Sequence, residues 1–338
     1  MAKHKALTLG ILGAANIARQ FTTAVQGCDA VRVTAVASRN QANADAFAKA
    51  LHIPHAYASY EALLADPSIE AVYIPLPNHM HAQWSIKALQ AGKHVLCEKP
   101  LCLNADQARA MFATAKKHGV MLLEAYPYWF QPQTRDMLTL LSSGAIGQVR
   151  FMQVSFGFTV APHPDNIRLN PHMGGGALLD AGAYPISLIR LVMGQAPVCV
   201  QAQSQWTDSG VDISTMATLE YADGRRVQML CAMNVANMRR ATIAGTAGTI
   251  ETEYLNHTNI PGVASQLRIR RGVANSIPFE EITSATGNGF RFEAEAFADV
   301  VRRRDFSAIE RASVASIDIA HTLETIAQSA KTGRVVQL

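Results

Sequence analysis

Two segments of this 338-residue chain carry side chains that could move a proton beside a hydride acceptor, and a third could hold that acceptor. Lys99 lies in His94-Val95-Leu96-Cys97-Glu98-Lys99-Pro100. Asp180 and Tyr184 lie in Gly174-Gly175-Gly176-Ala177-Leu178-Leu179-Asp180-Ala181-Gly182-Ala183-Tyr184-Pro185. Gly13-Ala14-Ala15-Asn16-Ile17-Ala18 is a degenerate dinucleotide fingerprint. If that third segment binds a nicotinamide dinucleotide, the first two offer a cation and a phenol. Removing a proton from an alcohol while hydride leaves its carbon requires groups of that kind.

The elements that must position these groups can be read from periodicity. Apolar runs at Ala6–Leu12, Val31–Ala37, Ala71–Leu76, His94–Cys97 and Val120–Glu124 predict buried strands. Helical spacing fills the intervals at Ile17–Val25, Asn43–Leu51, Tyr60–Leu64, His81–Ala91 and Asp106–Lys117. That alternation implies a doubly wound parallel sheet over residues 1–125, a Rossmann domain. Over 126–338 the pattern becomes α+β: a helix at Thr134–Ser142, a strand at Val149–Phe158, a Pro- and His-rich loop and a glycine-led helix near Asp180. Strands follow at Val198–Trp206, Ile213–Tyr221, Arg226–Met233, Ala241–Ala244, Thr249–Tyr254, Leu267–Arg271 and Ile277–Ile282. Ala222-Asp223-Gly224 suits a hairpin turn, so the second sheet is expected to be mostly antiparallel. Two helices, Phe290–Arg303 and Ser313–Lys331, close the chain, with no packing side assigned to either.

The fingerprint follows the first strand and opens the first helix, the context that gives it meaning. Gly13 suits the tight turn and Ala18 the packing of helix on sheet, while Ala15 replaces the glycine that lets backbone approach a pyrophosphate. Asn16 and Ile17 complete the turn; small residues here also arise from packing alone. Ser38-Arg39-Asn40 closes the second strand, where an acid would read the ribose hydroxyls of NAD. The missing carboxylate and the guanidinium favour NADP over NAD. An exposed arginine starting a helix is the plainer alternative.

Pro77, Asn78 and His81 follow the third long strand on the carboxyl edge where ligands of such sheets sit. Capping by Asn78 and a surface role for His81 explain them equally well. Pro100 takes the chain out of the sheet after Glu98 and Lys99. Asp180 and Tyr184, four residues apart, share a face if their helix is continuous; Pro185 either kinks that helix or marks a new start. The three glycines before them would let backbone pass close to a ligand. An acid at a helix start and a half-buried tyrosine are the bland alternatives.

Composition excludes other classes. Hydrophobic residues make up 49% and charged residues 17%, ordinary for a globular protein rather than a disordered one. The net charge of +4 is dispersed, and the only dense basic run, Arg302-Arg303-Arg304, suits a helix C-terminus better than nucleic acid. Five cysteines, with no C-x-x-C spacing, read as reduced thiols, and no metal site is expected. Met1–Lys5 with Ala6–Ala15 superficially resembles a signal peptide, but the stretch runs into Asn16 and Arg19 in helical phase and reads better as the first strand. No segment reaches membrane-spanning length, so a cytoplasmic location is expected.

Together these segments resemble the Gfo/Idh/MocA family of oxidoreductases, over nearly the whole chain. The motifs are Ile17-Ala18 in the fingerprint, Pro77-Asn78-x-x-His81, Ala91-Gly92-Lys93-His94-Val95-Leu96-Cys97-Glu98-Lys99-Pro100, Ser143-Gly144-Ala145-Ile146-Gly147-Gln148-Val149 and Ser329-Ala330-Lys331-Thr332-Gly333-Arg334. Gly174 to Pro185 is similar to the branch holding dihydrodiol dehydrogenases, NADP-dependent D-xylose dehydrogenases and glucose-fructose oxidoreductase. The resemblance implies that Lys99 and Tyr184 act on a substrate hydroxyl with Asp180 nearby, that Glu98 shapes the nicotinamide pocket, and that Arg168 faces the ligand. Close relatives have arginine where this chain has Trp129, which exchanges a fixed charge for an aromatic wall suited to a sugar face or cyclic diol. A sugar, polyol or diol substrate and a homodimer or tetramer formed through the second sheet are expected. A non-catalytic dinucleotide sensor of the same fold is the competing reading, and a lyase or hydrolase that recycles its nicotinamide internally is a third.

Overall fold

The structure is a computed structural model that describes residues 5–161, 163, 166–254, 266–285 and 287–338. The chain divides into two compact units. The first takes in Met1–Cys102, Asp106–Pro127 and Asn288–Ser316, and the second Leu103–Ala105, Tyr128–Gly287 and Ile317–Leu338.

In the first unit the order is β1 (Leu7–Leu12), α1 (Asn16–Val25), β2 (Val31–Ala37), α2 (Gln41–Leu51), β3 (His55–Tyr57), α3 (Tyr60–Ala65), β4 (Ala71–Ile74), α4 (Asn78–Gln90), β5 (His94–Glu98), α5 (Ala105–His118) and β6 (Leu122–Ala125). The six strands pair in parallel in the order β3-β2-β1-β4-β5-β6, a doubly wound sheet. β1 is buried at every position, Thr8 included, because helices cover both faces. β3 has only three residues, His55-Ala56-Tyr57, none of them fully buried, and leaves no apolar run to read. Asn40 and Ser59 cap α2 and α3 by accepting from the amides of Asn43 and Ala62. The core extends to α9 (Gly289–Arg303), far away in sequence: Phe290 meets Phe21 edge-on at 5.9 Å, and Phe21 stacks on Tyr73 at 4.2 Å. The basic run does end that helix, and Arg302 pairs with Glu70 at 2.7 Å.

The second unit holds α6 (Pro132–Ser142), β7 (Val149–Thr159), α7 (Ala177–Asp180), α8 (Ala183–Met193), β8 (Cys199–Trp206), β9 (Asp212–Glu220), β10 (Arg226–Ala232), β11 (Asn234–Gly245), β12 (Gly248–Glu253), β13 (Gln266–Arg271), β14 (Glu280–Ile282) and β15 (Val336–Gln337). The last helix, α10 (Phe306–Thr332), begins in the first unit and ends in the second. The nine strands follow the order β14-β13-β12-β11-β7-β10-β9-β8-β15, antiparallel apart from the β7–β10 pair. β11 starts earlier than its apolar pattern indicates, because a register shift between Asn234 and Met238 interrupts the alternation. The Pro- and His-rich loop lies partly outside the described residues.

Alternation divides the two faces of this sheet. Met152, Val154, Ala202, Leu219, Val227 and Met229 are buried, whereas Gln153, Gln203, Met216 and Gln228 point the other way and are exposed. The open face is therefore mixed and rich in amides. It forms a shallow concavity of about 670 Å³ lined by Gln153, Gln203, Met216, Gln228, Met238 and Arg240, among others. Among the described residues no single helix is long and apolar enough to cross a membrane.

Candidate active site

The first unit gathers its candidates on one edge. Gly13 follows β1, Ser38 and Arg39 follow β2, Pro77 and Asn78 follow β4, and Glu98 and Lys99 close β5, all at carboxyl ends of parallel strands. Gly13 has φ of 116°, and a Cβ there would come within 2.9 Å of Leu76 Cδ2, so the turn accepts only glycine. α1 begins after Ala15 with no side-chain cap and no acid in its first turn. Its leading amides, with Asn16 and Ile17 at their head, suit an anion such as a pyrophosphate.

Arg39 is exposed and lies outside α2, whose cap is Asn40, so it does not start that helix. Its guanidinium lies near the hydroxyl of Tyr60. Burial raises the pKa of that tyrosine, and the arginine opposes the shift. Capping by Asn78 is not what the structure has: Pro77 stands at the cap and Asn78 is the first helical residue. His81 is not at the surface either; it is 1% exposed. Nδ1 is 2.8 Å from the Pro100 carbonyl oxygen and Nε2 is 2.6 Å from that of Leu76, so the ring braces the loops after β4 and β5. Burial outweighs these carbonyls and lowers its pKa to about 4, leaving a neutral ring with one proton to donate.

The Lys99-Pro100 peptide is cis, which turns the chain sharply out of β5. Glu98 is buried and accepts from the Tyr73 hydroxyl at 2.5 Å. Glu124, absent from the sequence candidates, accepts from the Leu101 amide at 2.9 Å just beyond that turn. Burial pushes its pKa to about 7 against the opposing Ser316 hydroxyl, Leu101 amide, Tyr126 hydroxyl and Lys99 charge. A lone glutamate in a buried strand is the signal that could have marked it. Lys93, inside the same motif, is a pin rather than a site residue: its ammonium donates to the carbonyls of Asp66 and Ile69 at 2.7 and 2.8 Å.

In the second unit the helix breaks after Asp180. The segment Pro171–Asp180, which ends in α7, bends by 50° into α8, and Pro185 sits in the first turn of a new helix, so Asp180 and Tyr184 do not share one continuous face. Arg168 Nε donates to Asp180 Oδ2 at 2.5 Å, and its guanidinium lies 5.8 Å from the Phe158 ring centre. Asp180, then the nearby Tyr184 oxygen, raise the pKa of that arginine against the effect of burial. The glycine run packs on the protein itself. A Cβ on Gly175 would come within 2.6 Å of the Arg168 carbonyl oxygen, and one on Gly176 would collide with Asp212, which accepts from the Leu178 amide at 2.7 Å.

Tyr184 is 7% exposed, and its ring stacks on Phe156 of β7 at 4.5 Å and 14°. Tyr128 lies 6.3 Å from Tyr184 and 5.5 Å from Tyr254, and the Arg239 guanidinium stands 5.3 Å from Phe156. Trp129 is half-buried beside this aromatic group and donates from Nε1 to the Tyr128 hydroxyl at 2.9 Å. Sequence reasoning did not single out Phe156, Tyr128 or Tyr254, whose strand and loop positions carry no local signal of this grouping.

Two family models account for most of this architecture. The oxidoreductase family model with an NAD-binding Rossmann fold, that of Gfo/Idh/MocA, matches residues 7–126, and the GFO/IDH/MocA C-terminal domain matches residues 134–251. The chain belongs to the Gfo/Idh/MocA family of oxidoreductases. It is 35% identical over 333 residues to a D-xylose 1-dehydrogenase (NADP(+)) of Haloferax volcanii, covering 98% of this chain and all of that one. It is 35% identical to a trans-1,2-dihydrobenzene-1,2-diol dehydrogenase of Danio rerio over 297 residues, 86% of each. Among solved structures, the 3-ketoreductase KijD10 of Actinomadura kijaniata, in complex with NADP and TDP-benzene, superposes with a TM-score of 0.86 at 30% identity, over 96% of this chain and 98% of that one. An aldose-aldose oxidoreductase of Caulobacter crescentus gives 0.87 at 27% identity, over 98% and 100%.

Proposed function

We propose that the protein is an NADP-preferring dehydrogenase or reductase acting on a hydroxyl-bearing carbon of a sugar, polyol or cyclic diol. The observation that carries this reading is the carboxyl edge of the first sheet, where an uncapped helix start, the exposed Arg39 and Lys99 stand at the ends of β1, β2 and β5. The cofactor, when bound, supplies or accepts the hydride at its nicotinamide ring. The amides at the start of α1 hold its pyrophosphate, and Arg39, steadied by Tyr60, pairs with the 2′-phosphate. Pro77, Asn78 and Glu98 border the nicotinamide end, with His81 bracing the loops from beneath.

Tyr184 carries the proton to or from the substrate oxygen, and the Lys99 ammonium hydrogen-bonds that oxygen and favours the phenolate by its charge. Asp180 fixes Arg168 beside the phenol, and Arg168 and Trp129 receive the substrate, the indole offering a flat apolar face to a sugar ring. The open, amide-rich sheet face is assigned to a second copy of the chain in a homodimer or tetramer. None of the five cysteines is in a disulfide, which agrees with a reducing cytoplasm.

NADPH absorbance with a panel of aldoses, polyols and cyclic diols tests the reaction. Net cofactor reduction is expected, whereas stoichiometric NADPH binding with no turnover of any panel member would identify a sensor instead. Tyr184→Phe is expected to lower kcat by about 10²- to 10⁴-fold with NADP affinity unchanged. A kcat within about threefold of the parent rejects the assigned proton transfer.

A further inference from the structure

We propose that Trp129, Tyr128 and Ser187 form a one-way hydrogen-bond chain that sets the pose of Tyr184, making Tyr128 and Ser187 positioning residues for the proton transfer. The inference rests on the role given to Tyr184 above. Ser187 Oγ donates to the Tyr184 carbonyl oxygen at 2.9 Å, which uses its only proton. In the 2.6 Å contact between Ser187 Oγ and Tyr128 Oη, the phenol must therefore be the donor. With that proton used, Tyr128 Oη accepts from Trp129 Nε1 at 2.9 Å. Along these links each hydroxyl accepts from the group before it and donates to the group after it, so the direction runs from the indole to the backbone of Tyr184.

Tyr128 and Ser187 are both 0% exposed, so no water competes for these bonds and each link strengthens the next. The chain acts where the backbone needs fixing. Tyr184 lies in the first turn of α8, directly after the 50° break, and a helix start is held by fewer bonds than its interior. Stacking on Phe156 fixes the plane of the Tyr184 ring, and the chain fixes the peptide that carries it. Trp129 consequently has two separable functions, a face toward the substrate and an N–H toward Tyr128.

Separating the two needs variants that keep shape and remove one hydrogen-bonding atom. Tyr128→Phe and Ser187→Ala delete links, Trp129→Phe keeps an aromatic plane without the N–H, and Ser187→Thr restores a hydroxyl. With NADP and D-xylose as probes, Tyr128→Phe and Ser187→Ala are expected to lower kcat about tenfold to a hundredfold with KM and NADPH affinity unchanged, and Trp129→Phe, which also alters the face offered to the substrate, to lower kcat by a like factor with NADPH affinity unchanged. Ser187→Thr should remain within about threefold of the parent. The second readout needs no turnover: phenolate absorbance at high pH, taken as each protein minus its Tyr184→Phe counterpart, isolates the Tyr184 titration. With the Arg168 charge near it, a displaced phenol should titrate about half a pH unit or more from its position in the parent. Unchanged titration in Tyr128→Phe and Ser187→Ala overturns the proposal, whether or not D-xylose is turned over. If Tyr184→Phe abolishes activity while both link variants keep parental kcat, the chain is inert and the assigned function stands. If Tyr184→Phe keeps activity, the functional reading itself fails, and the phenolate titration still decides whether the chain holds Tyr184.

Discussion

Replacing Glu124 with glutamine should flatten one component of the stability-against-pH curve. Glu124 is 2% exposed, and its pKa rises from the ordinary 4.5 to about 7, chiefly through burial. Between those two values the folded state keeps a proton that the unfolded state has released. Stability is therefore fully present below pH 4.5 and declines as pH rises through 7. At about 1.4 kcal/mol per pH step, the interval amounts to roughly 3 kcal/mol. His81 and His94 act in the opposite sense, because burial lowers both to about 4 and their neutral forms favour folding as pH rises. The raw curve mixes these effects, and the parent-minus-Glu124→Gln difference isolates the carboxyl. Urea unfolding followed by circular dichroism at several pH values between 4.5 and 8 should show the difference shifting by about 3 kcal/mol against the parent, with the change complete by pH 8. Parallel curves would show that the carboxyl titrates normally and that burial does not hold its proton.

Two further outcomes are expected. Arg39→Ala should weaken NADP about tenfold to a hundredfold by equilibrium fluorescence titration and leave NAD nearly unchanged, since only NADP has the 2′-phosphate; equal losses reject that contact. Glu70, which Arg302 and the Thr8 amide hold at a pKa of about 2 despite the opposing effect of burial, contributes stability present above pH 4.5 and lost as pH falls through 2. Glu70→Gln should cost about 1 kcal/mol at pH 7, a value discounted for partial solvent screening, and the gap in thermal midpoint should narrow below pH 4.5. A gap that stays constant down to pH 3 assigns the effect to packing instead.

Apolar-rich runs in β1, β4 and β5, separated by helical patterns, determined the first sheet, because a strand covered on both faces is apolar at successive positions. The fingerprint and the Glu98-Lys99-Pro100 motif placed candidates at strand ends, since ligand groups in a parallel sheet gather where the strands stop. Other features depended on contacts between distant segments. The packing of α9 against Phe21, the link that His81 makes between the loops at Leu76 and Pro100 and the contact of Glu124 with Leu101 join segments tens to hundreds of positions apart. The break between Asp180 and Tyr184 was likewise undecided, because Pro185 is compatible with a kink and with a fresh start. Sequence supplied the chemistry and the element types, which depend on local side-chain pattern. Tertiary structure decided which tyrosine stacks on which ring, which hydroxyl donates to which carbonyl, and which carboxyl loses its water, since burial and hydrogen-bond direction arise only when distant elements come together.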